Sequence, residues 1–116
     1  MDSEPQISYD DFRRVDMRVG EILEVLDFER ARNPSYKVRV SFGAEVGEKW
    51  SSVQAKTAYS KEELVGKQVI AVVNFPPKNI AGFMSEVLIL GVEMADGSLS
   101  LLEPGRRPAV IGFRVY

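Results

Sequence analysis

Two basic side chains on one predicted strand are the first candidates for binding chemistry. Between Tyr36 and Phe42, apolar residues alternate with Lys37, Arg39 and Ser41, which is the pattern of a strand with one face in a core and the other in water. Lys37 and Arg39 therefore project together from the outer face. There they either bind anions or only keep the surface solvated.

The next predicted strand, residues 48–54, carries a mixed set of polar and aromatic side chains. Lys49 could contact a phosphate, and Ser52 and Gln54 offer hydrogen-bond donors and acceptors to a ligand or to neighbouring backbone. Trp50 could stack on a base or on a peptide side chain, or pack in the core or at a subunit contact.

A third group of candidates lies between Asn74 and Met84. Asn74 stands before Phe75 and two prolines, so it either makes a turn or places its amide on a ligand beside Lys78. Phe83 and Met84 form an adaptable apolar patch that suits the binding of varied peptides, or burial at a subunit interface.

Catalysis is not expected from this composition. The chain has 116 residues with no Cys and no His, which removes the usual nucleophile–base pairs and the common zinc ligands. No acid pair, phosphate-binding loop or metal-binding cluster stands out among the remaining residues. We therefore expect a binding protein rather than an enzyme, with no cofactor and no metal.

Charge is distributed unevenly along the chain. The formal net charge is −2 and the pI is about 5.2, which argues against a surface built wholly to hold polyanions. Between Arg30 and Gly82, however, nine basic residues stand against four acidic ones. This distribution is either ordinary solvated surface or a basic face on an acidic body. Arg106 and Arg107 add a basic loop that is either solvated or in contact with phosphate.

The N-terminal residues predict neither a signal peptide nor a membrane segment. Residues 1–11 contain several acids and a proline and have no apolar run of seven, and no later stretch reaches the length of a membrane span. We expect a cytoplasmic protein without membrane insertion. Residues 1–14 are interpreted as an extension with a short helix capped by Ser8, and residues 15–116 as one domain.

The order of predicted elements indicates an all-β fold with little helix. A long strand from Val15, on which Val15, Met17, Val19, Leu23 and Val25 share one side, precedes the strands at 36–42 and 48–54. A hairpin turn at 43–47 joins these last two. Ser60 and Glu63 have capping-box spacing for a short helix that ends at Gly66. Strands at 67–75, 87–93 and 99–102 follow.

The tally is five or six strands, and the order of three meandering strands, a helix and then at least two more strands matches the five-stranded Greek-key barrel called the OB-fold. An immunoglobulin-like sandwich would need about seven strands and no such helix. The apolar C-terminal segment 109–116 should pair as an edge strand or pack on a second subunit, which favours a dimer.

Three stretches resemble the tRNA-binding OB-domain family: VDMRVGEILEV at 15–25, SSVQ at 51–54 and NFPPKNIAGFMSEVLILG at 74–91. The resemblance covers about residues 12–102. It implies a homodimeric OB-fold protein whose relatives bind either the outer corner of tRNA or, in a chaperone-like branch linked to export, unfolded or signal-bearing polypeptides.

The family motif carries over onto Asn74, Lys78, Gly82, Ser85 and Glu86. The chain departs from the tRNA binders at Phe75–Pro77, at Phe83 and Met84, where those relatives often present polar residues, and at Val87 in place of a glycine. Because the loop is more apolar, we favour polypeptide over tRNA as the ligand. The expected ligand-binding residues are Lys37, Arg39, Lys49, Trp50, Ser52, Gln54, Asn74, Lys78, Phe83, Met84, Ser85 and Glu86.

Overall fold

A computed structural model describes residues 3–105 and 107–116, so Arg106 lies outside the described residues. The elements within the described residues are α1 (Tyr9–Arg13), β1 (Met17–Asp27), β2 (Tyr36–Ser41), α2 (Gly43–Val46), β3 (Glu48–Val53), α3 (Lys61–Leu64), β4 (Gln68–Val72), β5 (Lys78–Ile80), β6 (Phe83–Ser85), β7 (Leu88–Ile89), β8 (Gly91–Glu93) and β9 (Leu99–Leu101). None of these described helices is long and apolar enough to cross a membrane.

Five antiparallel strands form the main sheet in the order β3-β2-β1-β4-β7. The sheet curls until β3 approaches the segment between β6 and β7. There the Glu86 N–H donates to the Trp50 carbonyl at 2.8 Å, and the Ser51 hydroxyl donates to the Val87 carbonyl at 3.0 Å. The result is a nearly closed barrel, which confirms the predicted OB-type fold.

The barrel interior follows the predicted alternation on β2. Val38 and Val40 on that strand, and Phe42 just after it, are fully buried. The helix predicted between the third and fourth strands is also confirmed: Ser60 and Glu63 form a complete capping box at the start of α3. That helix adds the fully buried Leu64 to the same core. Burial of such side chains is the main source of stability in a domain of this size.

The apolar side chains of β1 do not all lie on one side of the strand, contrary to the prediction from the sequence. A β-bulge shifts the register between Ile22 and Glu24, so the side chains beyond it change face. Ile22, which precedes the bulge, is a core residue with 1% of its surface exposed, and Val25, beyond the bulge, is also buried, whereas Leu23 is only partly buried. The apolar residues predicted to share one side of the strand therefore do not form a single row, because a strict period of two cannot anticipate an extra residue.

Two further differences concern the loops and the later strands. The turn expected at 43–47 contains one helical turn, α2, and the strand expected at 87–93 is divided into β7 and β8. An additional hairpin, β5–β6, occupies residues interpreted as loop. Its two-residue turn holds Ala81 at φ 49° and Gly82 at φ 87°, both left-handed, as in a type I′ turn.

The C-terminal segment pairs along β1, one of the two arrangements expected for it. The Gly112 N–H donates to the Val19 carbonyl at 2.8 Å, the Val19 N–H donates to the Phe113 carbonyl at 3.0 Å, and the Val115 N–H donates to the Met17 carbonyl at 2.8 Å. This pairing provides hydrogen-bond partners for the backbone groups in the part of β1 that extends beyond β2.

A partly buried ion pair fastens that junction. Arg18 donates through Nε to Asp16 at 2.7 Å and through Nη1 to the Gly112 carbonyl at 3.1 Å. The Arg18 hydrogen bond, more than any other contact, lowers the pKa of Asp16 below its ordinary value of 3.8. The charged form of Asp16 is therefore favoured by folding.

The Asp16→Asn variant is expected to unfold about 1 kcal/mol more easily at neutral pH, because it loses a charge-assisted pair. Since the pKa of Asp16 is depressed in the folded state, its contribution is complete above its unfolded-state pKa and disappears as the pH falls through the folded value. Urea unfolding from pH 7 to pH 2.5 should show the two proteins converging below about pH 4. A constant difference across that range would contradict the assignment, and Glu93→Gln, at an exposed position, is the control.

Candidate ligand-binding grooves

Two adjoining grooves share Glu86 in their walls. The seam groove, about 580 Å³, lies where β3 approaches β7. The face groove, about 540 Å³, lies on the outer face of β2 and β3 beside β6. Both volumes fall within the usual range of ligand sites.

The grooves gather nine of the twelve residues expected to bind ligand. The seam groove is lined by Ser52, Gln54, Lys78, Ser85 and Glu86, among others. The face groove is lined by Lys37, Trp50, Phe83, Met84 and Glu86, together with Leu26 and Pro77. Arg39, Lys49 and Asn74 line neither groove. The strand and hairpin geometry thus brings residues 37, 50 and 83 together across long separations in the chain.

An aromatic cluster forms the floor of the face groove. The Phe83 ring meets the Phe28 ring edge-on, with centroids 5.4 Å apart, and the Trp50 ring at 90° with centroids 6.2 Å apart. Edge-to-face pairs of this kind are favourable beyond the area they bury. Phe28 is 4% exposed and was not singled out from the sequence, because it follows β1 in a segment without periodic pattern.

Lys37 is held over this cluster by cation–π contacts. Its Nζ lies 5.0 Å from the centroid of Phe28 and 5.2 Å from that of Phe83. An ammonium group above two rings is attracted by both ring faces. Lys37 therefore supplies a positioned positive charge at the wall of an apolar groove.

Arg39 is engaged by two carboxylates of neighbouring strands. Its Nε donates to Glu24 at 3.0 Å and its Nη1 donates to Glu48 at 2.6 Å. These hydrogen bonds, that of Glu24 first, raise the pKa of Arg39 above its ordinary value. A phosphate could bind Arg39 only by displacing Glu24 and Glu48. Ligand binding by Arg39 therefore stays a prediction, and the ion pairs give this residue a structural role as well.

Lys49 and Asn74 also have structural surroundings. Lys49 lies opposite Val40 in the β2–β3 register, so it points to the other side of β3 from Trp50. The Asn74 Oδ1 accepts the Asp16 N–H at 3.0 Å, and its Nδ2 donates to the Arg14 carbonyl at 2.8 Å. Asn74 thereby ties the connection after α1 to the end of β4.

Ser85 and Glu86 close the barrel through their side chains. The Glu86 Oε1 accepts the Trp50 N–H at 2.9 Å, and the Glu86 N–H returns a bond to the Trp50 carbonyl. The Ser85 hydroxyl accepts the Ser52 N–H at 3.0 Å. The outer edge of β3 has no regular strand partner here, so these side chains accept hydrogen bonds from its backbone N–H groups.

A pair of substitutions at Glu86 tests this closure. Glu86→Ala should lower the free energy of unfolding by about 1–3 kcal/mol, because the Trp50 N–H loses its acceptor. Glu86→Gln retains an oxygen at the same reach and should remain close to the parent protein. Chemical denaturation of both variants measures the difference; equal stability of the alanine variant would show that water replaces the carboxylate without cost.

Metal binding finds no support among the residues described, since no group of three or more carboxylates is positioned to hold an ion. The chain itself contains no His or Cys. The side chains that line the two grooves offer apolar contact, hydrogen bonding and ion pairing.

Comparison with known proteins gives consistent matches over most of the chain. The model of a family described as a putative tRNA-binding domain matches residues 17–111. The CsaA chaperone protein of Picrophilus torridus is 49% identical, with a TM-score of 0.88 over 96% of this chain and 100% of that structure. The chaperone CsaA of Bacillus anthracis is 40% identical, with a TM-score of 0.87 over 97% of this chain and 100% of that structure.

A different class of curated protein also matches. The methionine–tRNA ligase of Chlorobium limicola is 38% identical over 104 residues, which is 90% of this chain and 14% of the ligase. The same enzyme from Bacteroides fragilis is 38% identical over 100 residues, again 14% of its length. The chain therefore spans about one seventh of these curated relatives.

Proposed function

The chain belongs to the tRNA-binding-domain family, and from that premise we propose that it is a homodimeric, non-enzymatic binding protein of the cytoplasm. Its ligands are unfolded or signal-bearing polypeptides, which it holds as an export-related chaperone. The observation that carries the proposal is the apolar character of the two grooves combined with the small number of cations that face them.

Apolar side chains dominate the rims of the grooves. Phe75 is 50% exposed, Met84 49% and Leu88 48%, and each lines one of the grooves. Side chains of this kind adapt to ligands of varied shape, and methionine is especially suited to do so. Adjacent apolar residues exposed in a groove favour an apolar ligand.

Among the described residues, the cations that line the grooves are Lys37 and Lys78. Arg39 is held by Glu24 and Glu48, which leaves little positive charge to neutralise a polyphosphate backbone. Recognition of structured RNA ordinarily uses several phosphate contacts. This balance supports a polypeptide ligand over tRNA.

Dimer formation is supported by apolar side chains near the C-terminus. Val110 is 58% exposed, Phe113 65% and Tyr116 92%, although the segment pairs with β1. Large apolar side chains left in water favour association, and a two-fold contact between copies would cover the same patch on each.

The second candidate function is tRNA binding. The family match and the likeness to methionine–tRNA ligases favour it, and Lys37 with Lys78 would contact phosphate while Trp50 stacks on a base. In this case Arg39 would have to release its two acids.

Salt titration separates the two ligands. Labelled signal peptide and labelled tRNA are each titrated at 50 and 200 mM salt, and the molecular mass is measured in the same buffers. Peptide affinity should change less than about twofold, whereas five phosphate contacts would weaken tRNA binding about 500-fold. Submicromolar binding of tRNA at physiological salt without peptide binding would overturn the proposal. A monomeric mass at all concentrations would overturn the dimer.

A further inference from the structure

Resting on the proposed function, we propose that the seam groove binds its polypeptide as an added β-strand. One extended segment pairs with the outer edge of β3 at Ser52 and Gln54, and an acidic side chain of that segment contacts Lys78. This gives the groove both a binding mode and a preferred ligand charge.

The outer edge of β3, which is turned away from β2, is only partly covered by the rest of the barrel. The N–H groups of Trp50 and Ser52 point away from β2, towards Glu86 and Ser85. Gln54 follows the end of β3 at a bend, and by the alternation of backbone groups along an antiparallel strand its N–H would lie on the same side as those of Trp50 and Ser52. Within residues 3–105 and 107–116, the Gln54 N–H donates to no backbone partner.

The barrel closure ends just before this point. Glu86 and Ser85 satisfy the edge of β3 as far as the Ser52 N–H. The Ser52 carbonyl lies 3.1 Å from the hydroxyl oxygen of its neighbour Ser51. Because the single hydrogen of that hydroxyl is shared with the Val87 carbonyl, the Ser52 carbonyl keeps at least one lone pair for a further donor. An unpaired strand edge of this kind is a template for an additional strand.

The side-chain walls suit an extended peptide. Leu88, Ile89 and Leu99 form one wall of the groove and Phe75 lies at its rim. Successive side chains of a strand point to opposite sides, so a segment paired with β3 turns every second side chain towards these apolar residues. A nucleic acid offers no such alternation of main-chain donors and acceptors.

Charge selects among such segments. In the part of the chain that the structure describes, the charged residues lining the seam groove are Lys78 and Glu86. The Glu86 carboxylate accepts the Trp50 N–H, whereas Lys78 forms no ion pair with any described residue. Lys78 is therefore available to pair with a carboxylate of the bound segment, while the Glu86 carboxylate is engaged in closing the barrel.

The test uses labelled heptapeptides of alternating valine and threonine, acetylated and amidated, with a central Glu or Gln. The Glu peptide should bind the full-length protein about fivefold more tightly. Lys78→Gln should abolish that preference, and Lys78→Glu should reverse it. Lys56→Gln, in which the replaced lysine contacts Asp27, is the matched control and should retain it.

Backbone methylation tests strand pairing directly. Methylating the amides of alternate residues removes donors from one edge of the peptide, and one of the two alternating sets should weaken binding about tenfold while the other leaves it nearly unchanged. Equal effects of both sets would overturn strand pairing even if peptides still bind. A Glu preference that survives Lys78→Gln would overturn the charge assignment.

Two further outcomes separate a failure of strand pairing from a failure of the proposed function. Peptide affinity that falls as the protein dimerises would assign the groove to a segment of a second copy and overturn the added strand. Failure of every peptide, signal peptide included, to bind a folded protein would overturn the proposed function itself.

Discussion

The Gly20→Ala variant is expected to lose about 2–3 kcal/mol of unfolding free energy, because overpacking a rigid core carries a cost of this order. A Cβ at this position would lie 2.5 Å from the Val40 Cγ1 and 2.7 Å from the Phe42 Cε1. Both neighbours are fully buried, so neither can move aside into solvent. Urea unfolding followed by circular dichroism measures the change.

The matched control is Gly105→Ala, since a Cβ there meets nothing within 4 Å. That variant should stay within about 0.5 kcal/mol of the parent protein. The double variant Gly20→Ala/Val40→Ala should lose less than the sum of the two single changes, because trimming Val40 provides room for the added methyl group. Simple additivity would contradict the proposed clash.

The Phe83→Ala variant is expected to bind unfolded polypeptide about tenfold to thirtyfold more weakly, the loss typical of a central aromatic contact. The Phe83 ring contacts Phe28 and Trp50 and supports the ammonium of Lys37. Its removal therefore disorganises the floor of the face groove as well as one wall. Fluorescence anisotropy with a labelled signal peptide measures the affinity.

Two comparisons make that experiment decisive. Val65→Ala removes an apolar side chain that is 52% exposed and lines neither groove, so it should leave the affinity unchanged. Thermal unfolding of Phe83→Ala must show a cooperative transition at the assay temperature. Unchanged affinity in a folded Phe83→Ala protein would exclude the face groove from the peptide site.

The parts of the fold that were predictable depend on local chemistry. The strict alternation of β2 has a single arrangement that buries its apolar side, and the Ser60–Glu63 capping box starts α3 through contacts three residues apart. The β5–β6 hairpin was missed because Ala81–Gly82 is a weak turn signal compared with Asn-Gly. The bulge in β1 also escaped prediction, because its extra residue leaves no mark in composition.

Residue types and the family resemblance were sufficient to predict the OB-type barrel and to propose on it an apolar site edged by Lys37 and Lys78. Which partners the charged side chains contact depended on residues that are distant from them in the chain. Folding directs Arg39 to Glu24 and Glu48, and it places Phe28 beneath Lys37. Strand propensity and charge are local properties that can be read along the chain, whereas the availability of a charged side chain depends on which neighbours the closed barrel brings within a few ångströms.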